Sequence, residues 1–278
     1  MAECTHNCDT CGEKCGKESF YLKPKSTTKI GKMIGVVSGK GGVGKSTVTS
    51  ILAVNMARKG YRTAILDADV TGPSIPRAFG ITEKAYGNSD GTTIYPAVSA
   101  TGIKIMSMNL LLDDEGEPVV WRGPVISGAV KQFYTDVEWE EVDYMFVDMP
   151  PGTGDVPLTA FQSLPLDAII VVTTPQELVS MIVGKAVKMA EMMDIKVLGL
   201  VENMSYIECP HCKEKIYPYG KSRANEAAKE FSVALIGGLP IDARLSESAD
   251  EGRIEFIGEY LAEATEAVER LGRVKTDD

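Results

Sequence analysis

The chain has 278 residues, 44% of them hydrophobic, enough for one large α/β domain or two small ones with a sizeable core. Its 29 Lys and Arg stand against 39 Asp and Glu, and the formal net charge of −10 argues against a nonspecific nucleic-acid binder, which needs a basic face. No apolar run approaches the ~20 residues of a membrane-spanning helix, and Met1-Ala2-Glu3-Cys4-Thr5-His6 lacks the basic-then-apolar layout of a signal peptide. These absences lead us to expect a cytoplasmic location, where thiols stay reduced and grouped cysteines bind metal or do redox work.

Residues 1–30 form a compositional zone of their own, rich in Cys, Lys, Thr and Gly, and read as a flexible tail ahead of a domain over 31–278. From Met33 onward, strand-like apolar runs alternate with helical patterns. Strands are expected at 33–38, 61–67, 103–109, 144–148, 168–173, 196–202 and 234–239, and helices at 46–59, 123–136, 177–193, 222–231 and 255–271. Runs such as Ala168-Ile169-Ile170-Val171-Val172 are apolar throughout, as in a sheet covered on both faces. The alternation predicts an α/β fold with a mostly parallel, twisted sheet and right-handed crossovers. Lys84 to Thr93 reads as a surface turn, Met189, Met192 and Met193 as core, and Glu247 to Glu255 as a solvated face.

Between the first strand and first helix lies Ser38-Gly39-Lys40-Gly41-Gly42-Val43-Gly44-Lys45-Ser46-Thr47, which fits G-x-x-x-x-G-K-[ST]. The glycines let successive backbone N–H groups surround a phosphate, and the following helix adds its positive N-terminal end. Lys45 is placed to neutralise the β- and γ-phosphates and Ser46 to ligate Mg²⁺. Two later strands end in acids, at Asp67-Ala68-Asp69 and at Asp148. In open parallel sheets the strand ends face the ligand, so Asp148 is expected on the magnesium side, Asp67 near the metal shell and Asp69 orienting a water. Gly152 is positioned to offer its N–H to the γ-phosphate.

All six cysteines fall in two groups: Cys4, Cys8, Cys11 and Cys15, then Cys209 and Cys212 within Cys209-Pro210-His211-Cys212. Two thiolates cannot complete a tetrahedral centre, but a two-fold dimer brings two such pairs together around one [4Fe–4S] cluster. Zinc is the alternative, the C-x-x-C forming half a ribbon with Cys8 and Cys11 as the other half; a redox dithiol is a third reading. His211 reads as exposed loop. The tail's C-x₃-C-x₂-C-x₃-C has thiols enough for its own iron–sulfur or zinc site, with His6 as a substitute ligand.

The second lysine of Gly-Lys-Gly-Gly-Val-Gly-Lys-Ser, with Leu66-Asp67-Ala68-Asp69 and Asp148-Met149-Pro150-Pro151-Gly152-Thr153-Gly154-Asp155, resembles the deviant Walker A ATPases. Asp69-Val70-Thr71-Gly72-Pro73-Ser74, Trp121-Arg122-Gly123-Pro124 and Cys209-Pro210-His211-Cys212 are similar to the Mrp/ApbC iron–sulfur cluster carriers in particular. The resemblance implies a P-loop NTPase fold and a homodimeric, Mg²⁺-dependent ATPase that passes a labile, bridging [4Fe–4S] cluster to apo iron–sulfur proteins, without nucleic-acid or membrane partners. It implies that Lys40 crosses the dimer interface to the partner's nucleotide, and that Asn203 and Pro240 lie at the adenine. ATP over GTP rests on the resemblance, as no N-K-x-D motif is present. Two rivals share these motifs: an electron-transfer ATPase like the nitrogenase iron protein, and a ParA/MinD-like positioning switch with structural zinc. Against the second, the C-terminal residues are too few and too mixed in charge for an amphipathic anchor.

Overall fold

Along the first strand, β1 (Lys29–Ser38), Met33 and Val37 enter one hydrophobic cluster while Ile34 and Val36 enter another. Side chains alternate across a strand, so a strand buried on both sides must lie inside a sheet covered by helices on each face. A computed structural model describes residues 21–69, 74–112, 123–152, 154–175, 179–220 and 222–272.

The described elements follow β1 as α1 (Lys45–Arg58), β2 (Thr63–Asp67), α2 (Ile75–Ala78), β3 (Tyr86–Gly87), β4 (Ile94–Tyr95), β5 (Ala97–Val98), β6 (Lys104–Met106) and α3 (Gly123–Thr135). Then come β7 (Glu141–Asp148), α4 (Asp155–Ser163), β8 (Ala168–Thr173), α5 (Val179–Met192), β9 (Lys196–Glu202), β10 (Ile207–Glu208), β11 (Lys215–Ile216), α6 (Ala224–Glu230), β12 (Leu235–Gly238), α7 (Ala243–Asp250) and α8 (Ala262–Glu269). One eight-stranded sheet runs β12-β9-β8-β1-β7-β2-β6-β5. Every pairing in it is parallel except that of the edge strand β5 with β6. The expected mostly parallel α/β sheet is therefore present.

Helices α3, α4, α5 and α6 cover one face through residues such as Phe133, Phe161, Val183 and Ala227; α1, α2, α7 and α8 cover the other through Leu52, Ile75, Leu245 and Val268. Ile34 stands in register with Phe146 of β7 and Ala168 of β8, all fully buried. Truncating Phe146 to Ala at this position would cost about 3–5 kcal/mol. Parallel pairing brings the carboxyl ends of β1, β2, β7, β8 and β9 to one edge, so Ser38, Asp67, Asp148, Thr173 and Glu202 lie along it.

Several local expectations differ. A helix over 255–271 is shortened to α8, because Ile254–Phe256 form a 3-10 turn and Leu261 takes a left-handed φ of 57° before the helix starts. Glu255 is buried rather than part of a solvated face: its carboxylate accepts from Ser99 Oγ at 2.6 Å and from the Thr101 N–H at 3.2 Å. The turn at 84–93 sits inside the β3–β4 hairpin, where the Asn88 side chain accepts from the Thr92 and Thr93 N–H groups. Met192 lies exposed at the end of α5, whereas Met189 and Met193 pack on the core. Of the zone read as a tail, residues 21–30 touch the domain: the Leu22 N–H donates to the Ser163 carbonyl at 3.0 Å, Thr28 is buried, and Lys29 and Ile30 open β1.

Candidate functional site

The glycine loop joins the end of β1 to the start of α1, as strand–loop–helix phosphate sites require. Gly42 and Gly44 take φ values of 75° and 78°, a region that a side chain disfavours. Ser38 Oγ donates to the Lys40 carbonyl at 3.0 Å and tightens the entry to the loop. Gly39, Gly41, Val43 and Thr47 complete the loop and the first turn of α1. A cleft of about 300 Å³ opens over it, bordered by Lys40, Gly42, Lys45, Ser46, Asp69 and Pro151 among others.

Strand register builds the acidic half of the site. β2 pairs with β7 so that Asp67 stands opposite Asp148, both buried at the strand ends. The Lys45 ammonium lies 2.9 Å from Asp148 Oδ1 and 3.3 Å from Asp69 Oδ2. Asp148 Oδ2 accepts from Ser46 Oγ at 2.6 Å, and Asp148 Oδ1 accepts from Thr49 Oγ1 at 2.8 Å. Asp67 accepts from Ser107 Oγ at 2.8 Å and from the Asp69 N–H at 3.1 Å. Burial works against the Lys45 charge, yet Asp148 and Asp69 outweigh it and hold the ammonium above its ordinary value. Burial first, and the Asp148 charge second, push the Asp67 carboxyl well above the usual carboxylate range.

Gly152 follows β7 with a φ of 90°. Its N–H donates to the Ser38 carbonyl at 2.8 Å, so donation to a γ-phosphate requires that bond to open. Asn203 follows β9, is buried, and donates from Nδ2 to the Val43 carbonyl at 2.9 Å. Pro240 borders a separate cavity of about 780 Å³, together with Tyr206, Glu208, Pro210, Asp242 and Tyr260. In that wall Arg244 and Tyr260 donate to Asp242 and draw its carboxyl down to about 2.

Cys209 and Cys212 lie on the β10–β11 hairpin, neither in a disulfide, Cys212 and His211 exposed. The Lys213 N–H donates to the Cys209 carbonyl at 3.0 Å and closes the turn. Backbone N–H groups of Cys212 and His211 aimed at the Cys209 sulfur lower its thiol below the ordinary value. Among the described residues no group of three or more His, Cys, Asp or Glu is arranged to hold a metal ion. Cys4, Cys8, Cys11, Cys15 and His6 lie outside the described residues, as do residues 70–73, Trp121, Arg122 and Thr153.

The structure places Lys45, Ser46, Asp67, Asp69 and Asp148 beside one another; sequence reasoning missed Thr49 and Ser107, which orient two of the carboxylates. Thr49 was findable: four residues after Lys45, one helical turn on, it faces the same way. Ser107 carried no such signal, since only tertiary pairing of β6 beside β2 brings it to Asp67.

Comparison with known proteins gives a consistent answer. Among curated relatives, the iron–sulfur cluster carrier protein of Clostridium perfringens is 47% identical over 268 residues, spanning 92% of this chain and 93% of its own. That of Methanocaldococcus jannaschii is 43% identical, spanning 91% and 90%. A solved nucleotide-binding protein of Archaeoglobus fulgidus, in complex with ADP, superposes with a TM-score of 0.75 at 43% identity, covering 84% of this chain and 90% of that one. The cell division ATPase MinD of Pyrococcus furiosus, at 19% identity and a TM-score of 0.57 over 87% of this chain and all of its own, shares the fold. A family description reading ParA, NUBPL iron-transfer P-loop NTPase, matches residues 29–274. The chain belongs to this family of iron-transfer P-loop NTPases.

Proposed function

We propose that the chain is a cytoplasmic, homodimeric, Mg²⁺-dependent ATPase. As its cargo it holds a [4Fe–4S] cluster between the Cys209/Cys212 pairs of two subunits and passes it to apo iron–sulfur proteins. The observation that carries this reading is the hairpin: two thiols, one with a lowered thiol pKa, presented on an exposed turn of a P-loop domain. Two such turns related by a dyad supply four sulfurs.

The donor set fits Mg²⁺, a hard cation that takes oxygen ligands. Ser46 Oγ and Asp148 Oδ2 lie 2.6 Å apart at the mouth of the loop, with Asp67 behind them. Ser46, Asp148 and Asp67 would hold the ion, which when bound neutralises charge on the β- and γ-phosphate oxygens. Gly39, Gly41, Gly42, Val43, Gly44 and Thr47 cradle the phosphates. Lys45 contacts them in the ground state, its charge secured by Asp148 and Asp69. Asp69 orients the attacking water and Gly152 reaches the γ-phosphate. Asn203 and Pro240 border the adenine, as the family resemblance implies. Lys40 acts in trans, on the nucleotide of the partner subunit.

Hydrolysis in mixed dimers tests the assignment. Lys45→Ala should lose most ATP affinity, whereas Lys40→Ala should bind ATP and hydrolyse it poorly. Mixing the two should restore activity in heterodimers, because the Lys45→Ala subunit supplies Lys40 to its partner's nucleotide. Mixtures no more active than the separate variants would remove Lys40 from this role. A labile cluster that transfers readily to a chelator supports the carrier, and tight retention with one-electron cycling supports the redox rival.

A further inference from the structure

The carboxyl end of β9 carries two adjacent buried side chains that face different parts of the molecule. Glu202 is 2% exposed. One of its carboxylate oxygens accepts from Ser222 Oγ at 2.7 Å, and the other accepts from Ser205 Oγ. Ser205 enters the segment bearing the β10–β11 hairpin and Ser222 leaves it, so a single carboxylate ties both stems of the cysteine hairpin. Asn203, the next residue, donates to the Val43 carbonyl inside the phosphate loop. Its fit there is close: a Cβ built on Gly44 would lie 2.0 Å from Asn203 Nδ2.

Between these anchors the chain has little slack. The Asn203 N–H donates to the Thr173 carbonyl at 2.8 Å, and Met204 turns the backbone with a left-handed φ of 57°. The Ser205 N–H donates to the Leu239 carbonyl at 2.8 Å, and the Ile241 N–H to the Tyr206 carbonyl at 2.7 Å. Cys209 follows Asn203 by six residues. A displacement of Val43 therefore bears on Asn203, and from there on stems held by their neighbour.

We propose that Glu202 is a positioning residue whose clamp on Ser205 and Ser222, beside the Asn203 contact with the phosphate loop, makes the setting of Cys209 and Cys212 depend on the nucleotide. A ligand shifts an equilibrium only through differential contacts, and the contact that nucleotide binding would alter here is that of the Val43 carbonyl with Asn203. The proposal deepens the cluster-carrier reading and rests on it for its biological meaning, though its test needs no cluster.

The test uses the full-length, reduced apo chain, with and without Mg-ADP. Iodoacetamide labelling at Cys209 and Cys212 is followed by peptide-resolved mass spectrometry, which separates them from the tail cysteines. ADP should change the wild-type rate about fivefold, the order that one net hydrogen bond carries. The variant Glu202→Met/Ser205→Ala/Ser222→Ala removes the carboxylate and both hydroxyls of the clamp together; it also takes from the Ala224 N–H, at the start of α6, its Ser222 Oγ acceptor at 3.1 Å. It should retain ADP affinity within about twofold while the rate ratio falls toward one. Glu202→Gln can accept from one hydroxyl and donate to the other, so it should keep the wild-type ratio. A merely structural clamp would raise both rates together and leave their ratio unchanged. Ser205→Ala alone should give an intermediate ratio, and decides the matter if the triple variant does not fold. Absence of an ADP response in wild type, or a wild-type ratio in the unclamped variants, overturns the proposal. A chain that responds to ADP but assembles no bridging cluster would sink the carrier reading and leave this inference standing.

Discussion

Asp67 and Asp148 stand side by side at the ends of paired strands, and one Lys45 ammonium serves the cluster. Asp67 holds its proton more tightly when folded than when unfolded. The stability from this proton is therefore complete below the ordinary carboxylate pKa of about 4 and is lost as pH rises through the folded value. Asp67→Asn keeps the neutral form at every pH. In urea denaturation of the apo protein the variant should match wild type near pH 4. At pH 7.5 it should be the more stable of the two, because burial and the Asp148 charge oppose the wild-type Asp67 carboxylate there. A stability difference that does not grow with pH would remove Asp67 from this role. With Asp67 in the metal shell, the same variant should hydrolyse ATP more slowly, the cost of a neutral side chain beside the ion.

At the level of elements, the loop and the end of β9 are built as one piece. Gly44 has a φ of 78°, and its α-hydrogen side faces Asn203. Gly44→Ala should impose about 1–3 kcal/mol of strain and abolish measurable ADP binding by calorimetry. Adding Asn203→Ala should relieve the clash but not the φ strain, so the double variant should recover part of the folding stability. Full additivity of the two losses would mean that the residues do not touch. This junction was not legible in the sequence, because it joins positions 160 residues apart. Elements with long apolar runs were legible: β1, α1, β2, β7, β8, α5 and β9 lie within a few residues of where periodicity put them. Helix α7 was not, since Leu245 is its one buried hydrophobic residue and the stretch reads as charged surface. Helix α4 was absorbed into the motif that precedes it. In the site, residue types at strand ends identified the acids, but the hydroxyls that hold them depend on sheet order.

For the whole molecule, the proposed tail and the P-loop domain divide differently from composition alone. Residues 21–30 pack on the domain, and β1 starts at Lys29. Deletion of residues 1–20 should leave the thermal midpoint and ADP affinity essentially unchanged and remove any second, more tightly held iron or zinc. Deletion through residue 30 removes Leu22, Thr28 and the first two residues of β1, and should destabilise the domain. A shorter deletion that unfolds the protein would show that the cysteine-rich segment is part of the core. Among the described residues no helix is long and apolar enough to cross a membrane. Metal stoichiometry separates a bridging iron–sulfur cluster from a zinc site in each subunit. After anaerobic reconstitution of the chain lacking residues 1–20, iron, sulfide and zinc are measured per subunit, beside Cys209→Ala and Cys212→Ala. A bridging cluster requires about four iron and four sulfide per dimer, absent from both variants, whose ADP binding is intact. One zinc per subunit without sulfide, or normal cluster content in either variant, would contradict it.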